Sequence, residues 1–297
     1  MTDLLVPVCI ALTMAVLGLE LTAADFNRVL ANPGGIVLAT VGQIVLLPVA
    51  SIGLVHALHP PVALGAGLLV VAACPGGALS NFCVYLARGS TALSVALTAV
   101  STCLAVVTLP IVLDLSMPLV LEVGAAPSVP ALQMILQLLL LVLGPMAIGM
   151  EIRRRRSKLA SQLRPAGTLL GIVCVFLILG SIAWEQWETL NRDLNVLIRL
   201  AVVYSISMML VGTIVGWGAG LGRADRFTCL IEFATRNYLI ALLVGTTLLG
   251  ADFQTFAVVF FVTQTVLALL AVAGHRVRHQ ARLRIELPEV RPQPEQI

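Results

Sequence analysis

Long apolar runs with short polar interruptions fill most of the chain. At about 20 residues per bilayer crossing, nine spans can be drawn, at roughly residues 4–21, 35–56, 60–87, 91–113, 129–150, 166–184, 195–220, 225–249 and 253–274. Two of these runs are interrupted at their centres. The third is broken by Cys74-Pro75-Gly76-Gly77-Ala78-Leu79-Ser80-Asn81. Proline removes a backbone donor and clashes with the preceding turn. Carbonyls and amides freed at that depth are tolerated only where they line a cavity or are buried in protein. Ser80 and Asn81 follow at once, suited to cap the second half-helix or to ligate a cation. The eighth run carries Glu232-Phe-Ala-Thr-Arg236-Asn237, with opposite charges four residues apart. An unpaired charge at the bilayer centre costs about 2.5–3.5 kcal/mol on insertion scales, so such residues face a cavity, pair, or handle an ion or substrate. Each interrupted span is followed by one more. This is the pattern of an inverted-repeat secondary transporter, whose site forms where broken helices meet at the midplane. A plain kink with polar interhelical glue accounts for either interruption alone, less well for both.

Composition agrees. The chain is 59% hydrophobic and 11% charged, against about 25% charged in soluble domains, which predicts an all-α polytopic membrane protein. The net charge of +3 says nothing of nucleic acid, because the charges sit almost entirely in short loops. Cys9, Cys74, Cys83, Cys103, Cys174 and Cys229 fall inside apolar spans without metal-like spacing and are expected as small buried hydrophobes, not a disulfide framework or zinc site. Thr2 and Asp3 lead straight into the first span without a basic region, so no cleavable signal is expected.

The loop charges test the span count. Arg28, Arg88, Arg153 to Arg156, Lys158, Arg164, Arg223, Arg226 and the five arginines from Arg276 to Arg291 place 15 of the 18 basic residues on one side. Asp114, Glu122, Glu185, Glu188, Asp193 and Asp252 lie on the other, with Arg192 as the one base. The positive-inside rule then puts the N-terminus outside and the C-terminus in the cytoplasm of a cell (inner or plasma) membrane. Trp184 and Trp187 suit an interface. The arginine run 153–156 is expected to fix topology and touch anionic lipid. From Arg276 onward a basic helix end and disorder are expected, and residues 1–275 form the transmembrane domain.

Within the fourth span, Ser94, Thr98 and Ser101 share one helix face. With Ser80, Asn81 and Glu232 they make a hard-oxygen set suited to a weakly bound cation such as sodium, with no soft ligands for zinc or copper. Gln43 is a lone intramembrane amide, a residue more often glue than ligand. His56, His59, His275 and His279 lie at span ends, and no nucleophile–base–orienter set points to an enzyme.

The run from Cys74 to Asn81, then Tyr85-Leu86-Ala87-Arg88-Gly89, then Ala92 to Thr102, resembles the longest signature of the bile acid:sodium symporter family. Weaker similarity covers Gly18 to Thr22 with Asp25 and Phe26, Gln43 with Pro48, and the Glu232 segment. The resemblance implies two inverted repeats of four plus five spans. These form a panel domain (about 4–21, 129–150 and 166–184) and a core domain (about 35–113 and 195–274), with two broken helices crossing. It implies a first sodium site at Ser80, Asn81, Ser94, Thr98 and Glu232. A second would comprise Gln43, Glu232, the carbonyls of Phe233 and Thr235, and the side chain at 236. Substrate would bind beside Asn237 and Thr265. The family motif has glutamine where this chain has Arg236. Three roles are open to that guanidinium: a tethered cation replacing the second sodium, a clamp on an anionic substrate, or a structural bridge to Glu232. The implied function is sodium-coupled transport of an organic anion, a bile-acid-like molecule or small carboxylate, by rocking of core against panel. The implied partners are the substrate and the bilayer, with no nucleic acid and no protein partner. A sodium-independent or proton-coupled carrier is the alternative. An arsenite-type efflux carrier using Cys74 and a non-transporting ligand sensor are weaker ones.

Overall fold

A computed structural model describes residues 2–22, 33–121 and 129–286. Asp25, Phe26, Arg28, Glu122 and Arg291 lie outside the described residues. The described chain is helical. α1 is Thr2–Glu20. α2 runs through Pro33–Val41, a π-helical turn Gly42–Leu46, and Leu47–Leu58. α3 is Val62–Ala73, α4 Ala78–Leu86 and α5 Thr91–Val120. α6 combines Ala131–Leu138, a second π-helical turn Leu139–Leu143, and Gly144–Arg155. α7 is Ser157–Glu185, α8 Trp187–Gly218, α9 Arg223–Ala234, α10 Tyr238–Leu249 and α11 Ala251–Glu286.

Six of these helices are long and apolar enough to cross a membrane: α2, α5, α6, α7, α8 and α11. α1 is a shorter apolar helix. α3 and α10, at 12 residues each, reach only about 18 Å, too little for a hydrocarbon core of about 30 Å. They complete a crossing by continuing into α4 and out of α9. With α3–α4 and α9–α10 each taken as one broken span, the described helices follow the nine expected runs in order.

Local chemistry explains the breaks. Pro75 excludes the α conformation from the residue before it, and Cys74 is extended (φ −67°, ψ 150°). Gly77 is also extended where α4 begins. Each π-helical turn is followed by a segment with proline as its second residue, Pro48 in α2 and Pro145 in α6. The wider turn accommodates a residue that lacks an N–H.

Two groups of helices pack closely. α1 lies along α6 and α7. A Cβ at Gly149 would sit 2.1 Å from the Ala15 carbonyl oxygen, and one at Gly18 equally near that of Met146. Only glycine lets the two backbones touch, a common membrane device. In the other group, α3 packs against α2, α5, α10 and α11, α10 lies between α3 and α11 and also touches α1, and α8 runs along α9 and α11. Residues 238–245 of α10 are all buried. α7 instead leaves Leu169, Leu170, Phe176 and Leu177 exposed, a face fit for acyl chains. Trp184 and Trp187 are exposed on either side of Gln186, the one-residue break between α7 and α8.

Some boundaries differ from those expected. α5 extends to Val120 and contains Pro110 and Pro118. α11 continues as helix to Glu286, well past 274. Helix does not stop where hydrophobicity stops, because backbone hydrogen bonds propagate into polar sequence. Cys9, Cys74, Cys83 and Cys229 are buried, Cys103 and Cys174 partly so, and all are free thiols.

Candidate functional site

The two interrupted spans meet at their breaks. Gly76 and Arg236 form an isolated antiparallel bridge. Gly77 N–H donates to the Thr235 carbonyl (3.1 Å), and Asn237 N–H donates to that of Pro75 (2.9 Å). Each unwound segment thus satisfies backbone groups of the other, as burial at this depth requires. Little room is left beside either glycine, and at Gly77 the neighbour is main chain. A Cβ on Gly76 would lie 2.7 Å from Glu232 Oε2, and one on Gly77 would lie 3.0 Å from the Arg236 carbonyl oxygen. Two helix C-termini (α3, α9) and two N-termini (α4, α10) converge here, which brings both signs of helix dipole together.

Glu232, fully buried in the last turn of α9, is ringed by hydroxyls. Ser80 Oγ lies 2.5 Å from Oε1 and 2.7 Å from the Gly77 carbonyl oxygen. Ser94 Oγ contacts the same Oε1 and is 2.7 Å from Asn81 Oδ1. Thr98 Oγ1 reaches Oε2 at 3.0 Å and Oε1 at 3.2 Å. The breaks in two spans and the hydroxyl face of α5 therefore bring Ser80, Asn81, Ser94, Thr98 and Glu232 into one cluster. Its donors are all hard oxygens around one carboxylate, the chemistry of a hard cation site. Each hydroxyl has lone pairs to spare and can rotate its proton away from an arriving ion. Ser101, on the same face of α5, donates instead to the Thr98 carbonyl (3.2 Å).

Arg236 occupies a different place. Its guanidinium donates to the carbonyls of Cys74 and Ala72 at the end of α3 (3.4 Å for Ala72) and to the Glu232 carbonyl (3.5 Å). Its partners are main-chain oxygens, and the Glu232 carboxylate is not among them. The bridge to that carboxylate, four residues back, is not formed. The helix ends of α3 and α9 present unsatisfied carbonyls that attract a cation. Arg236 is buried, at 3% exposure.

The other candidates are dispersed around this centre. Asn237 is buried and caps α10, its Oδ1 accepting from Ile240 N–H (3.2 Å). Gln43 sits in the π-helical turn of α2, buried, with neither amide atom hydrogen-bonded. Its neighbour Gly42 abuts Phe233 and Val215, so this turn lies against the end of α9. Thr265 is partly buried and bonds back to Phe261 within α11 (2.7 Å). The residue before it, Gln264, is the one sequence reasoning passed over. It is buried, accepts from Arg236 N–H at 3.1 Å, and leaves its own Nε2 unpaired. The signal was available, since Gln264 is a lone amide inside an apolar span, as Gln43 is.

A profile of the Sodium Bile acid symporter family matches residues 7–193. The chain belongs to this family. Among relatives of the family, the "Uncharacterized sodium-dependent transporter YocS" of Bacillus subtilis is 31% identical over 57% of this chain and 52% of its own length. The "Probable sodium/metabolite cotransporter BASS1, chloroplastic" of Arabidopsis thaliana is 27% identical over 80% of this chain and 58% of its own. The rice "Probable sodium/metabolite cotransporter BASS2, chloroplastic" is 25% identical over 77% and 54%. The chain spans little more than half the length of these relatives. The Ser80–Asn81 break and the α5 hydroxyl face fall inside the family match; Glu232 and Arg236 lie beyond it.

Proposed function

We propose that this chain is a secondary transporter that carries an organic anion, coupled to sodium through the cluster at Glu232. The observation that carries this reading is the crossing of two broken helices, with one carboxylate, three hydroxyls and an amide oxygen gathered beside the crossing. Family membership and the sodium in the relatives' names support it. α1, α6 and α7 act as the panel and the remaining helices as the core. Rocking of one against the other exposes the crossing to each side in turn. A bound cation drives transport only by favouring one state over the other. The N-terminus faces outward and the C-terminus inward, as the loop charges require.

Arg236 acts as a tethered cation. It donates to the carbonyls of Ala72, Cys74 and Glu232 rather than to the Phe233 and Thr235 carbonyls that the resemblance gives the second sodium, so its charge stands in for that ion from a neighbouring position, and its burial keeps it from a substrate carboxylate. This favours one sodium per cycle. The anion binds beside Asn237, near the N-terminus of α10, with Thr265 on the facing helix.

Proton coupling is the second reading, and one observation favours it. With the guanidinium committed to carbonyls, Glu232 has no counter-ion within hydrogen-bond reach, and a buried carboxylate in that position takes up either a cation or a proton. Thermal stability of the purified protein, titrated with sodium against potassium and choline at constant ionic strength, separates the two. A saturable sodium-specific rise in wild type that vanishes in Glu232→Gln is expected. No sodium response in wild type, with stability instead following pH through Glu232, establishes the proton.

A further inference from the structure

Away from the crossing, α1, α6 and α7 line an open apolar cavity of about 290 Å³. Leu12 and Val16 line it from α1, Ile152 from α6, and Leu163, Ala166 and Leu170 from α7. One end of it is basic. Arg164, next to Leu163, pairs with Glu20 of α1 (2.8 Å). Arg154 and Arg155 are engaged by Glu151. Arg153 and Arg156 are in none of the ion pairs among the described residues. They follow the cavity-lining Ile152 by one and four positions, and lining Gly149 by four and seven. Arg153, four after Gly149, therefore continues the cavity's own face of α6 one turn further along, and Arg156 is the non-helical residue that joins α6 to α7. Leu169, Phe176 and Leu177 leave the outside of α7 apolar and exposed, so the cavity is reached sideways from the hydrocarbon.

We propose that this is a binding site for one anionic phospholipid. One acyl chain fills the cavity between α1, α6 and α7, and the phosphodiester meets Arg153 and Arg156. The charge complementarity decides the occupant. Guanidinium recognises phosphate oxygens in bidentate fashion, and a cavity with no polar lining suits an acyl chain, not a soluble anion. The lipid ties the three helices together at the end where α6 passes into α7. This site does not depend on the transport reading.

Native mass spectrometry of the full chain in mild detergent tests it, with phosphatidylglycerol and phosphatidylcholine of identical chains as probes. Wild type should retain a single phosphatidylglycerol in preference to phosphatidylcholine. Arg153→Gln with Arg156→Gln should lower that preference roughly thirtyfold, about fivefold or more for each basic side chain beside an anionic headgroup. Ala166→Trp, which fills the cavity from an exposed position, should reduce retention of both lipids. The proposal is overturned by binding of many phosphatidylglycerols without a first tight one, by a preference that survives loss of both arginines, or by retention that ignores Ala166→Trp. Should that variant fail to fold, wild type is probed with a photoactivatable acyl chain on phosphatidylglycerol. Crosslinks should fall on residues 163–170, and their absence there overturns the site.

Discussion

Glu232 and Arg236 sit four residues apart at one crossing and are handled in opposite ways. The carboxylate is met by side-chain hydroxyls from α4 and α5. The guanidinium is met by main-chain carbonyls at the ends of α3 and α9. Hydroxyls can rotate, so the first environment can admit an ion and release it. Carbonyls of a helix end cannot withdraw, so the second holds a permanent positive charge. One place suits an exchangeable cation and the other already holds a covalently attached one. A buried pair of opposite charges is therefore not by itself a salt bridge. The surrounding dipoles decide where each charge goes.

The largest effect expected from breaking this contrast is that of Arg236→Gln. Removing the guanidinium leaves the carbonyls of Ala72 and Cys74 without a donor, a loss of about 2 kcal/mol or more. In potassium or choline the variant should melt well below wild type. In sodium it should recover most of the difference, and the sodium dependence should steepen, because the second site that the resemblance implies, with Gln43 and the Phe233 and Thr235 carbonyls, regains the glutamine of the family motif. A variant equally unstable in all three salts would reduce Arg236 to a structural plug.

The contrast was only half legible in the sequence. The breaks themselves were plain, because Pro75 and two glycines cannot continue a helix at membrane depth, and two charges in an apolar run demand an explanation. Ser94 and Thr98 could be placed on one face from the helical period alone. Helix order followed from hydrophobic runs and loop charge. What periodicity could not show was the partner across the crossing. The direction of the Arg236 side chain depends on α3 ending at Ala73 with its carbonyls free, a contact between residues more than 160 positions apart. Gln264 was missed for a related reason. Its role rests on the N–H of Arg236, which is free because α9 has already ended at Ala234.

Gly76→Ala sharpens the comparison from the carboxylate side, with a smaller effect. The new methyl would stand 2.7 Å from Glu232 Oε2 and 3.5 Å from Thr98 Oγ1. Gly76 does not need a positive φ, so the backbone tolerates alanine. The strain falls on the end of a flexible side chain, which yields easily. Stability without sodium should change little, whereas apparent sodium affinity should fall by roughly tenfold, about 1.4 kcal/mol. Unchanged sodium affinity would mean that the carboxylate as placed here is not the ligand. A collapse of stability in every salt would mean that the crossing, not the cation, was damaged.

The smallest effect belongs to Thr265→Val, which should leave both halves of the comparison intact. The Thr265 hydroxyl bonds to the Phe261 carbonyl of its own helix, which is already satisfied within α11. Valine is close to isosteric, so the loss in stability should stay near 0.5 kcal/mol, the low end for a hydrogen bond. The sodium response should match wild type, since neither Glu232 nor Arg236 touches this residue. Only the apparent affinity for a transported anion should weaken, by a fewfold, measured as concentration dependence of uptake into proteoliposomes. If uptake is unaffected by Thr265→Val but lost in Gln264→Leu, the substrate-facing position on α11 is one residue earlier than the family resemblance implies. Gln264 would then join the main chain of Arg236 to the anion, and the tethered cation and the substrate would share a single helix contact.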